Sequence, residues 1–158
     1  MPFAPADMKL SSSAFKQHGA IPKKYSAEGD NISPELSWSN VPEGTRSLAI
    51  ICHDPDAPLV QNGMYGFVHW LCYNLPADMT QIAEGADVAT VGNNDFGEVG
   101  YGGPMPPEGH GPHYYYFWVL ALDAEPELPT GLALGELLEK IEPHLLGMDR
   151  LIGSYERN

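Results

Sequence analysis

Residues Tyr101–Trp118 read YGGPMPPEGHGPHYYYFW, and no other stretch narrows the choice of fold so sharply. Four glycines and four prolines, with His110 and His113 among them, run directly into five consecutive aromatics. Proline fixes φ and removes a backbone donor, so residues 102–112 can form neither a helix interior nor a central strand. The aromatics that follow suit a pleated, buried strand. The segment predicts a stiff loop whose last residues deliver His113 to the start of a core strand.

Five other segments carry strand signatures between Pro, Gly, Asn and Asp punctuation. They are Met8–Phe15, Glu35–Val41, Ser47–His53, Phe67–Leu75 and Leu151–Arg157, which join the aromatic run His113–Asp123. Tyr114–Leu122 is apolar at both parities and predicts burial on both faces. One segment departs from this pattern: in TGLALGELLEKIEPHLLG, Leu134, Leu137, Leu138 and Ile141 fall at helical spacing, with Thr130 as the expected N-cap. Pro143 limits that helix, and a short turn through His144–Leu146 precedes the closing strand. The expected architecture is mostly β, an antiparallel β sandwich with a C-terminal α-helix. Residues 1–7 are expected to be a flexible leader and 8–158 a single domain.

Eight Lys and Arg against 21 Asp and Glu give a net charge of −13. Such a surface repels phosphate backbones and anionic bilayers, so neither nucleic acid nor a stable membrane association is expected. No run reaches the roughly 20 apolar residues of a membrane span, and MPFAPADMK lacks the pattern of a secretory signal. The expected location is the cytoplasm. Cys52 and Cys72 sit inside apolar runs and are expected to be buried, reduced thiols.

Three stretches carry chemistry. In HDPDAP, each proline holds its predecessor extended, and Asp54 and Asp56, two apart, point to one side. A solvated acidic turn is the plain alternative. His69 opens VHWLCYNLP and, by strand parity, shares a face with Leu71 and Tyr73; a purely structural histidine is the alternative there. In the opening segment, Gly102 and Gly103 are expected to take positive φ and present N–H groups to a ligand, while Pro104, Pro106 and Pro107 form a rigid wall. His113, Tyr115 and Phe117 then face one way and Tyr114, Tyr116 and Trp118 the other. Together these residues predict a narrow, preorganised pocket with histidine donors.

DPDAP, HW followed by YNLP, and GGPMPP ahead of GPHYYYF resemble the two signature regions of the phosphatidylethanolamine-binding protein family, in its bacterial Raf kinase inhibitor-like branch. KLSSSAF, GAIPKKYSAEGDNISPELSW and LIGSYER are similar to that family's framework, so the likeness spans nearly the whole chain. The resemblance implies a small anion pocket formed by Asp54, Asp56, Pro58, His69, Gly102, Gly103, Pro106, Pro107, His113 and Tyr115. It also implies phosphate-bearing ligands or headgroups, a kinase or protease as a regulated target, and a homodimer. Two departures stand out. Tyr114 replaces the arginine common after the second histidine, and Leu59–Phe67, with Met64 and Tyr65, matches poorly.

The leading expectation is therefore a non-enzymatic binding protein without a cofactor. Histidines beside carboxylates also suit a hydrolase, but neither signature carries a serine or cysteine nucleophile and no G-x-S-x-G elbow occurs. A metal site among His53, Asp54, Asp56, His69, His110 and His113 is a third reading, although their spacing matches no zinc signature.

Overall fold

The apolar runs become the interior strands of two sheets. The computed structural model describes residues 7–55, 66–87 and 90–157. Among them, β1 (Lys9–Ser11), β2 (Leu36–Ser39), β3 (Ser47–Asp54), β4 (Phe67–Pro76), β5 (Gln81–Ile82), β6 (Thr90–Val91), β7 (His113–Leu122) and β8 (Leu145–Tyr155) are strands. The helix α1 (Leu134–Ile141) precedes β8. A three-stranded sheet has the order β1-β2-β5 and a five-stranded one the order β6-β4-β3-β7-β8, with every pairing antiparallel.

Burial explains why β3 is the central strand. All of SLAIICHD is buried except His53, which is half-buried, as an apolar run flanked by neighbours on both edges should be. Its inward side chains Leu48, Ile50 and Cys52 pack with Trp70, Cys72, Phe117 and Val119, and with Leu10, Leu36, Trp38 and Ile82 of the small sheet. This is the sandwich core, one sheet's face against the other's. Ala49, Ile51, Leu71, Tyr73, Leu120 and Leu122 form a second cluster on the opposite face, closed by Leu132 and by Leu137 and Ile141 of α1. The helix thus covers the far half of the large sheet.

Three expectations about elements are corrected. The helix begins at Leu134, with Ala133 rather than Thr130 at the N-cap; the Ala133 N–H donates to Glu136 Oε1 at 3.0 Å. The closing strand starts at Leu145, six residues before Leu151, because Leu145–Arg150 pairs along β7. Of Tyr114–Leu122, only Val119–Leu122 is buried at every position; Tyr114 is exposed and Tyr116 and Trp118 are half-buried. The two-residue strands β5 and β6 carry no signature long enough to read.

Strand direction gathers the chemistry at one place. Because β4 and β7 both run antiparallel to β3, the end of β3 at Asp54 lies beside the starts of β4 and β7, at Phe67 and His113. Cys52 pairs with Trp70, but His53 pairs with Val68, so His69 is an extra residue on β4. A bulge of this kind re-aims a side chain. His69 accordingly leaves the face of Leu71 and Tyr73, against the parity expectation, and turns toward Tyr115 on the sandwich side, their ring centroids 5.1 Å apart.

Candidate functional site

Three side chains form a hydrogen-bonded line at this end of the sheet. His113 Nδ1 lies 2.7 Å from Asp54 Oδ2, and both residues are almost wholly buried. A carboxylate only accepts, so Nδ1 is the donor and His113 Nε2 faces outward. There Nε2 meets His110 Nδ1 at 2.8 Å. Asp54 therefore orients a histidine.

His69 has a different chemistry from the one the sequence suggested. Its Nδ1 donates to the Gly102 carbonyl at 2.7 Å, while the Gly102 N–H returns a bond to the His69 carbonyl at 2.9 Å. With the proton held on Nδ1, Nε2 of the neutral ring is an acceptor. Burial pushes His69 down to about 4, against the Gly102 carbonyl, which favours the protonated ring. The ring is thus neutral at ordinary pH and accepts rather than donates. Tyr115, Phe67 and Phe96 surround it, with ring centroids 5.1, 4.9 and 5.6 Å away.

A depressed histidine links stability to acid. Above the unfolded value near 6.5, both states are neutral. As pH falls from 6.5 toward 4, the unfolded ring binds a proton that the folded ring refuses, so stability is lost across that window. The full difference is on the order of 3 kcal/mol, at 1.36 kcal/mol per pH unit. Denaturant melts of wild type and His69→Gln at pH 7 and 4.5 measure it. The variant should lose less stability on acidification, and parallel losses would contradict the assignment.

Gly102 and Gly103 do not present free N–H groups, contrary to expectation. The Gly102 N–H is used as above, and the Gly103 N–H donates to Asn31 Oδ1 at 2.7 Å. Neither has a positive φ. They are glycines because of close approach: a Cβ at Gly102 would lie 2.4 Å from Phe96 Cδ2, and one at Gly103 would lie 2.1 Å from the Tyr25 carbonyl oxygen. Tyr101 fixes the same loop by donating from its hydroxyl to the Tyr25 carbonyl at 2.7 Å and by standing edge-on to Trp70.

Beyond the glycines, Pro104 and Pro106 are buried and Pro107 is exposed. The Ala27 N–H donates to the Pro104 carbonyl at 3.0 Å, and Arg157 Nη1 to the Pro106 carbonyl at 3.4 Å. Asp54, His69, Gly102, Gly103, Pro106, His113 and Tyr115 are thus placed around one end of the sandwich, while Asp56, Pro58, Met64 and Tyr65 lie outside the described residues. Sequence reasoning missed Asn31, Tyr25 and Phe96. Only Asn31 carried a signal, in the turn-prone GDNISP, where it takes φ 56°.

The alternatives gain nothing from the geometry. Cys52 and Cys72 are free and buried, and burial raises both thiols, Cys72 to about 12, so neither is a ready nucleophile. Among the described residues no three His, Cys, Asp or Glu side chains converge on a metal-sized point. A separate cavity of about 350 Å³ lies at the opposite end of the strands, beside Arg46, Asn74, Pro76 and Glu125, with its charged groups all exposed. No helix among the described residues is long and apolar enough to cross a membrane.

Comparison with known proteins gives the same family as the signatures. A UPF0098 protein of Methanothermobacter thermautotrophicus is 42% identical over 157 residues, covering 95% of this chain and 99% of that protein. The crystal structure of a phosphatidylethanolamine-binding protein homologue from Chlamydia trachomatis superposes with a TM-score of 0.89 at 40% identity, covering 97% of this chain and 99% of that one. Escherichia coli YbcL, described as a member of the mammalian PEBP family, gives a TM-score of 0.88 at 32% identity, covering 97% and 100%. The family model for phosphatidylethanolamine-binding proteins matches residues 11–156. With its fold, signatures and relatives in agreement, the chain belongs to the phosphatidylethanolamine-binding protein family.

Proposed function

We propose that this protein is a non-enzymatic, cytoplasmic binding protein whose pocket takes a small phosphate-bearing molecule or headgroup. The observation that carries this reading is a pair of opposite hydrogen-bonding roles at one end of the sandwich. His113, its Nδ1–H held by the Asp54 carboxylate, donates from Nε2 to an anionic oxygen in its protonated form, a charge-assisted bond. His69, with its proton held on Nδ1 by Gly102, is poised to accept at Nε2. The ligand that satisfies both accepts at one atom and donates at another. A monoprotonated phosphate does so, and so does a phosphate ester carrying an ammonium. The loop amides, already bonded internally, serve to hold the walls.

The hydrolase reading is weaker because the outer nitrogen of His113 meets a second imidazole, and no hydroxyl or thiol is aimed at it among the described residues. Tyr114 is exposed on β7, which supports the reading that its replacement of arginine touches a partner surface or a salt bridge rather than the pocket.

Sulfate tests the donor requirement because it has no proton near neutral pH. An acceptor left unpaired costs roughly 1–3 kcal/mol, so phosphate should bind at least about fivefold more tightly than sulfate. His69→Gln should narrow that gap, since an amide can turn its NH₂ toward sulfate. Competition calorimetry at pH 7 measures both. Equal affinity for the two anions in the wild type would contradict the reading.

A further inference from the structure

The proposed donor already has an occupant. His113 Nε2, the nitrogen that would meet an anionic oxygen, is 2.8 Å from Nδ1 of His110. The rings are tilted by 54° with centroids 5.0 Å apart, so the contact is an in-line hydrogen bond rather than a stack. His113 and Asp54 are buried, whereas His110 is exposed, so moving it uncovers little apolar surface.

The backbone around His110 is built to turn. Gly109 and Gly111, its two neighbours, have φ of +73° and +84°. A Cβ at either would meet nothing within 4 Å. Packing therefore does not demand glycine here, and the left-handed backbone does. Upstream the loop is anchored: the Gly109 N–H donates to the Arg157 carbonyl at 3.0 Å, and the His110 N–H to the Pro107 carbonyl at 3.1 Å. A rigid loop thus ends in one imidazole between two permissive joints, directly over the buried Asp54–His113 pair.

We propose that His110 is a specificity-determining latch: in the unliganded protein its imidazole holds the place of a ligand's anionic oxygen on His113 Nε2, and the ligand binds by displacing it. The inference rests on the anion-pocket reading above. When His113 is neutral, the His110 Nδ1–H donates to it. An incoming anion needs His113 to donate instead, so exchange places one proton on Nε2: an N–H bond forms there as an O–H bond of the ligand or of water breaks, and no bond between heavy atoms changes. Only a group that displaces the His110 imidazole and accepts from the protonated His113 is admitted. Charged phosphate oxygens pass that condition, and neutral carbonyl compounds fail it.

The test is titration of inorganic phosphate into wild type and His110→Ala at one pH, followed by NMR of nitrogen-labelled histidine rings. Releasing a competing hydrogen bond should tighten phosphate binding about threefold to tenfold in the variant. In the wild type, the His110 ring signal should move to that of a free, exposed histidine as phosphate saturates. Equal or weaker binding by His110→Ala, or a His110 signal unmoved at saturation, would overturn the latch while leaving the pocket intact. No response of His113 to phosphate in either protein would overturn the pocket reading and the latch together.

Discussion

Asp54→Asn should weaken phosphate binding about thirtyfold, the lower end of the loss when one partner of a buried, hydrogen-bonded charge pair is neutralised. The amide oxygen of asparagine can still accept from His113 Nδ1, so the ring keeps its orientation and the bond seen at 2.7 Å has a successor. What disappears is the negative charge held against the ring that donates to the phosphate. Calorimetry of phosphate binding, with a thermal melt on the same sample, separates the two effects. A retained melting temperature with greatly weakened binding is expected. Unchanged affinity would mean that the Asp54–His113 pair is structural.

Gly103→Ala should be the most damaging single methyl in the loop. Its Cβ would sit 2.1 Å from the Tyr25 carbonyl oxygen and 2.8 Å from Asn31 Oδ1, and the first of these is backbone. Backbone cannot swing aside as a flexible side chain can, so the loop and the Tyr25–Ser26 segment must separate. Overpacking of this kind costs about 3 kcal/mol or more. The loss should appear in a denaturant melt, together with loss of phosphate binding, because the same loop carries the Gly102 carbonyl that sets the tautomer of His69. Gly109→Ala, where a Cβ meets nothing within 4 Å, is the control; it bears only the strain of φ +73° and should cost distinctly less. Equal costs at the two positions would show that close approach is not what Gly103 provides.

The contrast between those glycines shows how far composition reaches. A run such as GGPMPPEGHGP announces a constrained loop, and that much was legible. Which glycines serve close approach and which serve left-handed turns depends on what the fold brings against them, here Phe96 and Tyr25, 6 and 78 residues away in sequence. The long apolar strands were legible for the same reason that they are central: β3 and the second half of β7 are covered on both faces. The start of β8 was not, because in LLGMDR the half-buried edge strand mixes polar and apolar residues and continues a helix-like pattern.

His69 is the instructive case within the site. Its place at this end of the sandwich was legible from the signatures, but its face and hydrogen bonding were not. A bulge changes parity without any mark in the strand's own sequence, since the extra residue appears only in the pairing with β3. Likewise, a histidine reads as a donor until the Gly102 carbonyl fixes its proton on Nδ1. His110 was visible only as one histidine among several candidate metal ligands. Its position over His113 follows from two turns whose geometry no spacing rule supplies.

The most direct measurement is the electron density of crystals grown with inorganic phosphate at neutral pH. A tetrahedral anion should lie within hydrogen-bond distance of His113 Nε2, with His110 turned away and His69 Nε2 facing a phosphate oxygen. Phosphate found only at remote surface positions, with His110 still closed on His113, would contradict the account.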